Sequence, residues 1–73
     1  MTDIKAIVGG LLTRVACAPG APVTKGQSLF FVESMKMEIP VAAPREGSVA
    51  QILVHEGETI AEGQVLAVLG DAS

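Results

Sequence analysis

The chain has a single cysteine, Cys17, no tryptophan and no tyrosine. One thiol cannot close an internal disulfide, so no covalent staple holds the fold and nothing points to secretion. Phe30 and Phe31 are the only aromatics, which leaves an interior to be built from Val, Ile, Leu and Ala. Basic residues are also scarce: five Lys and Arg against eight Asp and Glu give a formal charge of −3. Nucleic acid is thereby excluded as a natural partner, because its phosphates call for a basic face. Apolar runs long enough to cross a membrane as a helix are missing too. Lys5, the apolar stretch from Ala6 to Leu12 and Ala16-Cys17-Ala18 together mimic a signal peptide. Asp3, the Gly9-Gly10 pair and Arg14 count against it, and a cytoplasmic location is expected.

Catalytic and metal-binding constellations are equally thin. His55 has no Asp, Cys or second His at a spacing that would build a triad or a metal site. The glycine-rich turns open no helix, so they do not form a phosphate cradle. At 73 residues the chain is expected to form one domain over residues 1–73, near the size at which a single core barely offsets chain entropy. A catalytic cleft of any size has no room in it.

What the sequence does have is apolar material, turns and an internal repeat. Hydrophobic residues make up 49%, and eight glycines with four prolines interrupt every segment longer than a turn or two. Helix is therefore excluded, and the β-branched apolar runs predict an all-β fold. Shifting the chain by 37 places Gly10 on Gly47, Gly20 on Gly57, Gly26-Gln27 on Gly63-Gln64 and Leu29 on Leu66, without gaps. The same shift pairs Ile4 with Val41, Ala6 with Ala43, Val15 with Ile52 and Val23 with Ile60. Such a repeat predicts one supersecondary unit used twice, each copy burying its apolar side against the other. Turns needing positive φ account for the glycines at 20, 26, 57 and 63.

Each half reads as four short strands. The first has Ile4 to Val8, Leu11 to Cys17, a short piece at Val23, and Leu29 to Glu33. The second has Met37 to Ala42, Val49 to Val54, Ile60, and Val65 to Leu69. Pro40 falls inside a strand and must sit at an edge or a bulge. Eight strands in two pseudo-symmetric halves predict a flattened eight-stranded barrel of two antiparallel sheets. Cys17 maps onto Val54 and reads as a small buried hydrophobe.

Across the junction of the two halves runs Glu33-Ser34-Met35-Lys36-Met37-Glu38-Ile39-Pro40. The flanking strands leave Met35-Lys36 as a two-residue reversal. Hairpin turns of that length favour Asn-Gly or Asp-Gly, because they need positive φ at one or both central residues. A sequence that breaks this rule at one place and obeys it elsewhere points to function there. A lysine on such a tip stands clear of the body, with the direction of its stem fixed by the hairpin. Under the repeat Lys36 maps onto Ser73, so it is expected at the end of the barrel opposite Met1 and Ser73. Met35 is expected to be an exposed, adaptable contact for a partner, and Met37 fits either packing or the same contact. Glu33 and Glu38 read as solvated or recognition charges rather than catalytic acids. Lys5 and Lys25 read as ordinary surface cations.

The string around Lys36 resembles the biotinylation motif of biotin carboxyl carrier domains, and the chain from Ile4 to Leu69 is similar to small free-standing biotin/lipoyl attachment proteins. Lipoyl domains share a glutamate at the place of Glu33 but carry Asp before the lysine and Ala after it, where this chain has Met35 and Met37. Ser34 departs from the usual Ala of the carboxylase carriers. The resemblance implies the lipoyl/biotinyl barrel-sandwich hybrid, without the thumb insertion of some carriers because the repeat runs unbroken. It also implies a non-catalytic carrier with biotin in amide linkage to Lys36. Met35 and Met37, with Glu33 and Glu38, would then be read by a biotin protein ligase. A biotin carboxylase would load carboxylate and a carboxyltransferase would pass it on. The alternatives are lipoate on the same lysine, or a non-acylated interaction module.

Overall fold

The structure, a computed structural model, describes residues 1–70. Eight strands follow one another: β1 (Thr2–Lys5), β2 (Gly10–Val15), β3 (Pro22–Val23), β4 (Ser28–Ser34), β5 (Met37–Ala42), β6 (Gly47–Ile52), β7 (Thr59–Ile60) and β8 (Val65–Gly70). They form two antiparallel four-stranded sheets, one in the order β1-β8-β6-β3 and the other in the order β5-β4-β2-β7. Each strand of one sheet has its repeat mate at the same place in the other, so the 37-residue shift is a spatial pseudo-twofold. Backbone hydrogen bonds obey it: Leu12 N–H reaches the Glu58 carbonyl at 2.9 Å, and its mate Val49 reaches Ala21 at 3.0 Å. Ala6 N–H to the Gln64 carbonyl (2.9 Å) is repeated as Ala43 to Gln27 (2.8 Å). These bonds run between the halves and tie each to the other. Among the described residues no helix is long and apolar enough to cross a membrane.

The interior is aliphatic, as composition requires. Ile4, Leu12, Leu29, Val32, Leu66 and Leu69 are buried around Phe30, which is wholly removed from solvent. A register shift between Ser28 and Phe30 lets the consecutive residues Leu29 and Phe30 both face inward, which plain alternation forbids. Pro40 lies on β5, an edge strand, where its missing N–H costs no ladder bond. The β2–β3 and β6–β7 connections, residues 16–21 and 53–58, match in length, and no thumb interrupts either.

Three strands differ from the sequence reading by two residues or more at one or both ends. The first strand is Thr2–Lys5 rather than Ile4 to Val8. Ala6 leaves the ladder because its N–H and carbonyl are taken by the Gln64 carbonyl and the Gly63 N–H. Likewise β2 ends at Val15 rather than Cys17: after Ala16 bonds the Leu29 carbonyl, the chain turns away toward Gly20. Its mate β6 starts at Gly47 and ends at Ile52, where Val49 to Val54 was expected.

Candidate functional site

The β4–β5 hairpin closes between Ser34 and Met37, which are register partners, leaving Met35 and Lys36 as a two-residue loop. Their φ values are 51° and 66°, the only positive values at non-glycine residues among the described ones. Both central residues at positive φ define a type I′ turn, whose twist matches that of the strands it joins. Every other positive φ falls on Gly20, Gly26, Gly57 or Gly63, the turn glycines expected from the repeat. The left-handed conformation costs an L-residue roughly 1–2 kcal/mol. Replacing Met35-Lys36 by Asn-Gly should therefore stabilise the domain by about 1–2 kcal/mol. For a domain of this size that is a rise in Tm of roughly 4–8 °C per kcal/mol, read by thermal denaturation.

The turn sets the exposure of its side chains. Lys36 is exposed, Met35 is 93% exposed and Met37 66%. No hydrogen bond or ion pair holds Lys36 among the described residues, so its amine is free to be approached from outside. The chain path puts the hairpin far from the N-terminus: β1 runs away from the Thr2–Leu69 pair, and β2 begins at Gly10, against Glu33. Ser73, the repeat mate of Lys36, lies outside the described residues.

Glu33 and Glu38 are exposed and directly opposite each other across β4 and β5. Like charges so placed repel. Thr13 relieves part of this, its hydroxyl lying 2.9 Å from Glu38 Oε2 and 3.1 Å from the Phe31 carbonyl oxygen. Next to it the Arg14 guanidinium stands 5.3 Å from the centre of the Phe31 ring, a cation–π contact across β2 and β4. Sequence reasoning missed this brace. Thr13 faces the hairpin because a register shift between Leu12 and Arg14 makes it the extra residue of a bulge, and bulges leave no mark in apolar periodicity.

The remaining candidates fall elsewhere. Cys17 is half-buried against the core and free, and burial pushes its thiol above the ordinary pKa. His55 is exposed in the loop before β7, with its backbone N–H bonded to Glu58 Oε1 at 3.1 Å. No group of three or more metal-binding side chains occurs among the described residues.

An eight-stranded barrel thus carries a hairpin that holds one lysine outward beside a second non-glycine residue of positive φ. Residues 2–69 match the family model described as "Biotin-requiring enzyme". The Biotin/lipoyl attachment protein of Bacillus subtilis is 39% identical over 66 residues, covering 90% of each chain. The Biotinylated protein TB7.3 homolog of Mycobacterium leprae is 37% identical over 67 residues, covering 92% of this chain and 94% of the other. Among solved structures, Kluyveromyces lactis urea carboxylase superposes with a TM-score of 0.89 at 28% identity. That match covers 94% of this chain but 6% of the carboxylase. The chain belongs to the biotin/lipoyl attachment family, and its all-β barrel is the family's fold. Small members of the family are carriers, not catalysts, and this chain is a carrier domain.

Proposed function

We propose that the chain is a biotin carboxyl carrier whose Lys36 amine holds biotin as an amide. The observation that carries this reading is the I′ turn, with Lys36 exposed at its second central position and positive φ forced on two non-glycine residues. Nothing in packing calls for Met35 and Lys36 where Asn-Gly would fold better; display of the amine does. The methionines on either side of Lys36 favour biotin over lipoate, and the "Biotinylated protein" relative and the urea carboxylase match lend the same support.

Biotin when bound supplies a ureido nitrogen that carries carboxylate between a biotin carboxylase and a carboxyltransferase. The protein's own part is mechanical and electrostatic. Lys36 contributes a nucleophilic nitrogen and a long stem, and its acylation turns a cation into a neutral tether. The hairpin aims that stem, while the barrel keeps the anchoring strands from moving. Tethering replaces a bimolecular encounter by a high effective concentration at each partner in turn. Met35 and Met37 offer an adaptable apolar contact to the ligase, and Glu33 and Glu38 supply charges for it to recognise.

Intact mass after co-expression with a biotin ligase and free biotin tests this reading. One biotinyl increment is expected. A lipoyl increment under lipoylating conditions, with no biotin taken up, would make the chain a lipoyl carrier; no increment of either kind would make the hairpin a docking knob.

A further inference from the structure

The hairpin that displays Lys36 also displays the most exposed sulfur of the chain. Met35 occupies the first turn position with 93% of its surface open, and Met37 follows at 66%. Neither belongs to the core or to the residues packed against it. The third methionine, Met1, is 86% exposed and lies toward the opposite end, beside the β1–β8 pairing. Cys17 would ordinarily be the first sulfur an oxidant attacks, because a thiolate is the better nucleophile. Here it is half-buried, and desolvation pushes its thiol pKa up, which disfavours the thiolate. The two thioethers beside the attachment lysine are thus the open sulfurs at the functional end.

We propose that Met35 is a reversible oxidation site whose state decides whether Lys36 is acylated. The oxidant is of the peroxide class: its O–O bond breaks, one oxygen bonds the thioether sulfur, and the other leaves as water. Sulfur loses two electrons and the peroxide gains them. A dithiol reductase of the methionine sulfoxide class reverses the step, giving back the thioether, water and a disulfide. The sulfoxide turns an adaptable apolar contact into a strong hydrogen-bond acceptor. A ligase surface shaped for the thioether then has to bury that acceptor without a donor, which weakens the encounter. The barrel itself is unaffected, since the sulfur touches none of its core. This inference rests on the attachment reading above, and adds a control on when attachment occurs.

The test uses the full, unacylated chain, treated with hydrogen peroxide, and measures initial rates of labelling by biotin ligase with biotin and ATP. Untreated protein must label; if it does not, the attachment reading itself fails. Peptide mapping should find sulfoxide at Met35, and labelling should slow by roughly tenfold or more, the effect of one unsatisfied buried polar group. Treatment with a methionine sulfoxide reductase should restore the rate. The peroxide-induced loss, taken as a ratio within each variant, should persist in Cys17→Val and shrink below about twofold in Met35→Leu, well short of that tenfold effect. Oxidised protein that labels at the untreated rate overturns the proposal. So does a loss that follows Cys17, Met1 or Met37 instead of Met35. Far-UV circular dichroism unchanged by peroxide is expected; a collapse of the β signal would trace the slower labelling to unfolding and overturn it equally.

Discussion

Lys36→Arg should eliminate the biotinyl increment while leaving the fold and its stability as they are. The substitution keeps the positive charge and a stem of similar length at the second turn position, so the electrostatics around Glu33 and Glu38 change little. What it removes is an amine that can shed its proton and attack an acyl group; a guanidinium stays charged and does not. The other lysines serve as internal controls. Lys5 lies on β1, and Lys25 lies in the tight turn beside Gly26, exposed like Lys36. Exposure on a turn is therefore common to Lys25 and Lys36, whereas the methionine flanks and the I′ geometry belong to Lys36 alone. Streptavidin blotting and intact mass of the variant should both read zero label. Label that persists on Lys36→Arg would move the attachment point to Lys5 or Lys25 and refute the role given to the hairpin.

The same hairpin shows what was legible in the sequence and what was not. Its position, its two-residue length and its positive φ follow from Met35-Lys36 standing where the strands on either side leave no other room. The repeat yields the turn glycines for the same reason: φ near 85–90° at Gly20, Gly26, Gly57 and Gly63 is a local requirement, and local requirements are written in residue type. Strand ends were less legible because hydrophobicity does not stop where a ladder stops. Ala6 is buried and apolar yet outside β1, since Gly63 and Gln64 claim its backbone. The repeat held the correction: β5 at Met37–Ala42, moved back by 37, ends at Lys5, as β1 does. Interleaving of the halves, with β1 and β3 joining β8 and β6, is a long-range choice that no single segment encodes. Thr13 on Glu38 was invisible for a related reason, because the bulge that turns it there arises from pairing between strands.

The pair Gly10 and Gly47 turns the pseudo-twofold into a second large expected effect. Neither has a positive φ, so conformational freedom does not explain the match. A Cβ at Gly10 would collide with the Glu33 carbonyl oxygen and approach the Val32 Cγ1 at 3.0 Å. A Cβ at Gly47 would collide with the Gly70 carbonyl oxygen, at the place that the repeat assigns to Glu33. Both glycines are there so that one strand can cross close over the backbone of its neighbour. Gly10→Ala and Gly47→Ala should each cost about 3 kcal/mol, the upper part of the usual overpacking range, because backbone cannot step aside as a flexible side chain would. Gly20→Ala is the contrast, since its Cβ meets nothing within 4 Å and only its φ of 85° is strained. It should cost roughly 1–2 kcal/mol. Urea midpoints at constant m separate the two levels. Labelling then separates the two tight glycines from each other. Gly10→Ala pushes β2 against Glu33, three residues before Lys36, and should slow biotin ligase as well as destabilise. Gly47→Ala strains the opposite end of the barrel and should leave labelling of the folded protein intact. Equal losses of stability with unequal losses of labelling are the expected signature of a symmetric barrel with one functional end.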